Sequence, residues 1–299
     1  MRSLIAHIRL TRPANIITAI ADILAGAAIL GAAYFLIQES QSEWWGDLGW
    51  LVLATIGLYG GGVAFNDVFD AELDKKERPE RPIPSGQASV KSAGWMAFLL
   101  LLMGVLAAWQ VSLLSGVLAL AVALLALLYD VWGKHQTLFG PINMGLCRTG
   151  NLLLGMSLVP GAVQQFAYIG LVPLVYVAAI TMVSRGEVHG KNTRALYGGL
   201  VMYASILLFI AGLAYIQKDH FWESLPFLVL LAYFIFPPLV KAIKKQEPAL
   251  IGKSVKAAVL ALILVNASLA AAFSGWLVGL IILLLLPVSL QLAKVFAVT

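Results

Sequence analysis

The run Asn66-Asp67-Val68-Phe69-Asp70-Ala71-Glu72-Leu73-Asp74 leaves an apolar segment and enters a basic loop that carries Lys75, Lys76, Arg78, Pro79, Arg81, Pro82, Pro84, Ser85 and Gly86. Asp67, Asp70 and Asp74 stand three and four residues apart, a spacing that places side chains on one face of a helix. Carboxylates so grouped repel one another unless a cation joins them, and the dipole at a helix C-terminus disfavours them further. Hard oxygen ligands select Mg²⁺ or Mn²⁺, and Mg²⁺ commonly bridges one or two carboxylates to substrate phosphates. Asn66 adds an amide that can cap, ligate or donate to a phosphate. Arg78 and Arg81 lie between prolines that restrict the loop, and their planar guanidinium forks suit phosphate oxygens. Lys75 and Lys76 need no role beyond fixing topology. The stretch predicts a metal–diphosphate site; the alternative is a helix end solvated by the cytoplasm.

Other chemistry-bearing residues stand inside or at the ends of apolar runs. Tyr129-Asp130-Val131-Trp132-Gly133-Lys134 offers a point charge for a diphosphate at Lys134 and a hydroxyl one turn deeper at Tyr129. An interfacial tyrosine beside a topogenic lysine is the competing reading, and Asp130 is expected to pair with Lys134. Ionisable groups within apolar spans are functional hypotheses by default. Asp22 has Asn15 seven residues before it on the same face, and Arg148 lies between Asn143 and Asn151. Asn15, Asp22 and Arg148 are expected to line a polar cavity and contact an acceptor or a metal; an internal Asp22–Arg148 pair is the structural alternative. The lone Cys147 is read as a buried structural thiol, since one cysteine builds no disulfide framework.

The elements that must position these groups are membrane spans. The chain is 61% hydrophobic and 12% charged over 299 residues, whereas a soluble domain carries about a quarter charged residues. Ten apolar segments lie at roughly 14–36, 48–66, 92–110, 112–131, 140–160, 166–184, 196–216, 224–243, 254–273 and 276–296, each near the length that crosses a bilayer. With the N-terminus in the cytoplasm, every Lys and Arg except Lys218 falls on or toward the inner side, while Glu39, Glu43, Asp47, Asp219 and Glu223 fall outside. Trp44, Trp45, Trp50, Trp132 and Trp222 lie near span ends, where amphipathic rings favour the interface. The first apolar run is too long for a signal peptide and is expected to be retained. Ser274-Gly275 is short enough that the last two segments could be one broken element, and Pro237-Pro238 and Pro287 are expected to kink their helices. The inner loops at 67–91 and 184–194 are expected to face each other across the bundle, a hint of internal duplication. The reading is an all-α integral membrane protein: one domain over 1–299, a polytopic bundle of nine to ten transmembrane helices around a central cavity open to the cytoplasmic side and to lipid. A multi-pass protein of a bacterial plasma membrane is expected, with its motif loops cytoplasmic. Membrane lipid is its surrounding, and no nucleic acid is expected as a partner.

Asn66-Asp67-x-x-Asp70-x-x-x-Asp74 with its tail Arg81-Pro82-Ile83-Pro84-Ser85-Gly86 resembles the first aspartate-rich motif of the UbiA superfamily of intramembrane prenyltransferases. Arg12-Pro13-x-Asn15 is similar to that family's first helix, and Tyr129 with Lys134 to its tyrosine–lysine motif. The resemblance implies a helical bundle holding a Mg²⁺-bound prenyl diphosphate, ionised so that a hydrophobic or aromatic acceptor attacks the allylic cation. It implies Asp67, Asp70 and Asp74 as metal ligands. Asn66, Arg78, Arg81 and Lys134 would hold phosphate, and Tyr129 would line the cleft. Members usually carry a second aspartate-rich motif after the sixth helix. Here that stretch reads Ser184-Arg185-Gly186-Glu187-Val188-His189-Gly190, in which Glu187 is the candidate ligand and His189 is read as solvated. The departure points to a divergent branch, such as the EboC-like proteins. The expected activity is Mg²⁺-dependent prenyl transfer. Its competitors are a prenyl-diphosphate-binding protein that has lost turnover and a transporter using Asp22, Asp130 and Arg148.

Overall fold

The computed structural model describes residues 2–30, 41–186, 190 and 192–296, and every regular element among them is helical. Helix α1 (Arg2–Leu10) is amphipathic, with Leu4, Ile5 and Ile8 exposed and Ala6 and Leu10 buried. The chain turns through Arg12, at φ 47°, and Pro13 opens α2 (Pro13–Ala28) with its φ already helical. Helix α3 (Gln41–Phe69) ends one residue before α4 (Ala71–Glu77). Helices α5 (Val90–Val111) and α6 (Leu113–Val131) share Ser112 as the whole connection, and its hydroxyl caps α6 by accepting from the Ser115 N–H. A 3₁₀ turn over Gly133–His135 leads to α7 (Phe139–Met156). The expected segment at 166–184 is broken into α8 (Pro160–Phe166), a 3₁₀ turn and α9 (Leu171–Ser184).

Helices α10 (Thr193–Gln217) and α11 (Phe221–Lys245) follow, and α11 carries Pro226, Pro237 and Pro238 without a break. The segment expected at 254–273 is α12 (Pro248–Leu260) and α13 (Leu262–Ser274), divided at Ala261. The last is α14 (Trp276–Leu283) and α15 (Leu285–Val295). Pro287 explains this break, because its ring removes the hydrogen bond to the Leu283 carbonyl and clashes with it. Ser274-Gly275 joins two elements: Gly275 takes φ 87° and α14 folds back onto α13. Eight helical stretches among the described residues are long and apolar enough to cross a membrane; α2 is shorter. The protein is thus an integral, multi-pass membrane protein.

Successive helices pack side by side from α2 through α3, α5, α6, α7, α9, α10 and α11, and α13 and α15 return to α2. The interior belongs to α2 and α13; α13 is buried along its whole length. Aliphatic and aromatic side chains such as Trp95, Leu106, Leu208 and Tyr233 face outward, as lipid-facing positions do. Between helices in lipid, close packing and polar contacts replace the hydrophobic drive. Small residues supply the first. A Cβ on Gly26 would lie 2.3 Å from the Leu152 carbonyl oxygen, and one on Gly155 would lie 2.4 Å from that of Ile23. These two glycines let the backbones of α2 and α7 touch, and the approach sets Asp22 against Arg148.

Candidate functional site

A cavity of about 370 Å³ lies between α2, α3, α6, α7, α9, α12 and α13. Its mouth is built where α3 and α6 end. Asn66, one turn before Asp70, faces the cavity, as do Tyr129 and Asp130 near the end of α6 and Lys134 in the turn beyond it. Arg12 and Arg78 complete the rim. Lys134 Nζ lies 2.5 Å from Asp70 Oδ1, and Asn66 Nδ2 donates to Asp130 Oδ1 at 2.9 Å. The expected Asp130–Lys134 pair is therefore replaced by two contacts that cross between α6 and the end of α3.

The acids divide into two sets. Asp67 is buried and outside the cavity lining; its Oδ1 accepts from Arg12 at 2.9 Å and from Arg81 at 3.0 Å. Asp74, also buried and outside the lining, accepts from the same Arg81 nitrogen at 2.8 Å. The geometry follows from about 3.6 residues per turn. Residues 67 and 74 are nearly two full turns apart and superpose, whereas 66 and 70 share a neighbouring face. The three acids expected as metal ligands thus differ in their contacts: Asp70 reaches Lys134, whereas Asp67 and Asp74 reach Arg81. Asn66 and Asp70 face the cavity, and Asp67 and Asp74 clamp Arg81 behind it. Arg81 consequently faces carboxylates and does not line the cavity, while Arg78 does.

Deeper in the cavity the lining includes Asn15, Thr55, Tyr59, Arg148 and Asn151. From Thr55 to Asn66, α3 rises about 16 Å, so polar groups line the cavity at both depths. Arg148 is buried. Its Nη1 donates to Asp22 Oδ2 at 2.6 Å and its Nη2 to Thr18 at 2.6 Å, and its guanidinium lies 4.7 Å from the Tyr59 ring centre. Asp22 also accepts from Asn151 at 3.0 Å and from Asn266 at 2.7 Å. The internal pair is thus the one that forms, with Asp22 behind Arg148 rather than in the cavity lining. Cys147, read as a buried thiol, is half-buried and lies on the cavity wall.

Glu187 and His189 lie outside the described residues, so the second loop is represented here by Arg185, which donates to the Gln136 carbonyl. The sequence pointed to Asn151 beside Arg148, but not to Arg12 as the partner of Asp67 nor to Tyr59 and Thr55 as cavity residues. Arg12 preceding Pro13 was a visible signal. The others carry no local signature, since apolar helices place such residues anywhere.

A family model described as the UbiA prenyltransferase family matches residues 25–255. A digeranylgeranylglyceryl phosphate synthase of Methanothrix thermoacetophila is 31% identical over 232 residues, 76% of this chain and 79% of that one. Synthases of the same name from Methanosarcina mazei and Ignicoccus hospitalis are 37% and 28% identical over 112 and 186 residues, which are 38% and 62% of this chain. Those two matches span only 39% and 58% of the relatives' own length. A solved structure concerned with digeranylgeranylglyceryl phosphate synthase in membranes shares the fold at TM-score 0.64 and 20% identity, over 91% of this chain and 99% of the other. A UbiA homologue from Archaeoglobus fulgidus, bound to GPP and Mg²⁺, does so at TM-score 0.61 and 12% identity, over 88% and 99%. On the family match and the relative from Methanothrix thermoacetophila, the chain belongs to the UbiA prenyltransferase family.

Proposed function

We propose that this chain transfers an isoprenyl group from a Mg²⁺-bound prenyl diphosphate to a hydroxyl-bearing lipid acceptor within the membrane. The observation that carries the reading is the cavity mouth. It gathers Asp70, Asp130 and Asn66 against Lys134, Arg78 and Arg12, above an apolar wall. The donor set there is carboxylate and amide oxygen, which suits Mg²⁺; Asp70 and Asn66 would hold the ion. When bound, Mg²⁺ supplies positive charge to the departing diphosphate. Lys134 and Arg78 hold phosphate oxygens, their charge preorganised where negative charge develops as the allylic C–O bond breaks. Val63, Ala126, Val177, Ile180 and Val259 keep water from the allylic carbon, and Tyr129 lines the same cleft. Asp67 and Asp74 fix the loop through Arg12 and Arg81.

The acceptor faces Asn15, Thr55, Tyr59 and Asn151; Asn151 is committed to Thr55, Ala19 and Asp22, and the Thr55 oxygen keeps capacity to accept from an alcohol. The relatives' name, digeranylgeranylglyceryl phosphate synthase, supports the same class of acceptor. An aromatic acceptor is the second reading, favoured by Tyr59 and Tyr129 in the wall. The one-sided Lys and Arg distribution supports a cytoplasmic mouth. The transporter reading loses its mobile carboxylate, because Asp22 is pinned by Arg148, Asn151 and Asn266.

The test is turnover by the purified chain in lipid nanodiscs, given geranylgeranyl diphosphate and Mg²⁺ with either a glyceryl phosphate lipid bearing one prenyl chain or hydroxybenzoates. The expected result is a prenylated glycerolipid, lost in Asp70→Asn. Prenylation of the aromatic alone would move the acceptor to the second reading. Binding without product across both classes would establish a protein that has lost turnover.

A further inference from the structure

Asp130 lies near the end of α6, 3% exposed, and forms no ion pair among the described residues. Its Oδ1 accepts from the neutral Asn66 amide, and its Oδ2 accepts no hydrogen bond among those residues. The nearest candidate partner in sequence, Lys134, is committed to Asp70. Nothing in the apolar span explains the residue, and the C-terminal dipole of α6 opposes a carboxylate there. A buried carboxylate without a cation is costly to ionise, and in a membrane protein it marks a functional place. The other buried carboxylates are each matched: Asp67 and Asp74 by Arg81 near the mouth, and Asp22 by Arg148 deeper in the bundle.

The mouth thus holds one buried carboxylate without an ion-pair partner among the described residues, and its side chain lines the cavity beside Asp70. Asn66 links the two elements: it stands one helical turn before Asp70 and donates to Asp130 across the gap between α3 and α6. With its Nδ2 turned toward Asp130, Asn66 keeps its amide oxygen available as a hard donor. The loop at 184–194 contains no aspartate and a single glutamate, Glu187, outside the described residues, whereas Asp130 stands at the mouth itself.

We propose that Asp130 is the second carboxylate ligand of the Mg²⁺–diphosphate site, delivered from α6 and positioned by Asn66. The proposal rests on the function proposed above. It assigns to this chain a metal site built from the ends of α3 and α6. Asp70 and Asp130 hold the ion between them, and Lys134 and Arg78 are left to the phosphate oxygens.

The experiment compares the parent chain, Asp130→Asn and Asp130→Glu in nanodiscs. It uses Mn²⁺ in place of Mg²⁺, followed by electron paramagnetic resonance of the free ion, with a non-ionisable prenyl thiolodiphosphate present. Thermal unfolding is measured with and without the two ligands. Asp130→Asn preserves the shape and can still accept from Asn66. Mn²⁺ affinity in this variant is expected to fall about ten- to a hundredfold, and Asp130→Glu recovers part of it. Without ligand, Asp130→Asn is expected to unfold at the parent's temperature or up to about 2–4 °C higher, because a carboxylate that is costly to ionise is replaced by a neutral amide, and the stabilisation by ligand is largely lost. Parent-like Mn²⁺ binding in Asp130→Asn overturns the assignment while leaving the prenyltransferase reading intact. A lower unfolding temperature for ligand-free Asp130→Asn overturns it too, since that marks a structural role. Failure of the parent itself to bind the metal and the thiolodiphosphate removes both readings together.

Discussion

The Asp22 carboxylate on α2 receives Arg148 and Asn151 from α7 and Asn266 from α13, so three helices meet at one buried anion. Polar side chains between membrane helices act as specific joints. Here the joint also sets the cavity: Arg148 and Asn151 line it, and their hydrogen bonds to α2 hold them in place. Arg148→Met would keep the approximate bulk and leave Asp22 as a buried charge without its cation. Breaking a buried pair from one side costs about 3–5 kcal/mol. That loss is expected in SDS or thermal unfolding of the detergent-solubilised protein. Arg148→Met/Asp22→Leu should recover part of it, since no lone charge remains. A change within about 0.5 kcal/mol in the single variant would show that the pair carries no stability.

At the scale of elements, α2 and α7 approach so closely at Gly26 and Gly155 that neither tolerates a side chain without moving backbone. Gly155→Ala is expected to destabilise by about 1–3 kcal/mol through overpacking. By separating the two helices it should also weaken prenyl diphosphate binding. Gly212→Ala on α10, where nothing lies within 4 Å of the added carbon, is the control and should be close to neutral. The elements themselves were legible, because apolar runs of bilayer length and one-sided cations announce spans. Their interruptions were not: the break at Ala261 has no proline or glycine beside it, and the break at Leu284 is set by Pro287 three residues later. The partners of the acidic run were not legible for a related reason. Spacings of three and four bring acids near one another, but only the phase of the helix against its neighbours decides which of them meet the cavity. Asn66 and Asp70 do, while Asp67 and Asp74 meet Arg81.

For the molecule as a whole, the family and the membrane architecture follow from the sequence, and the wiring of the site follows from packing. Lys134 with Asp70 and Asn66 with Asp130 are each 64 residues apart in sequence; no local pattern encodes such pairs. The bundle brings the ends of α3 and α6 together over a cavity with an apolar wall, so that most of its charge is concentrated at the mouth and the deeper Arg148 is balanced by Asp22. The central claim is that this mouth binds a prenyl diphosphate through Mg²⁺. The direct measurement is equilibrium binding of labelled geranylgeranyl diphosphate to the reconstituted chain, in Mg²⁺ and in EDTA, for the parent and for Asp70→Asn. Saturable binding is expected, abolished by EDTA and weakened about tenfold or more in Asp70→Asn. Equal binding in EDTA, or in the variant, or no binding with Mg²⁺ present, would contradict it.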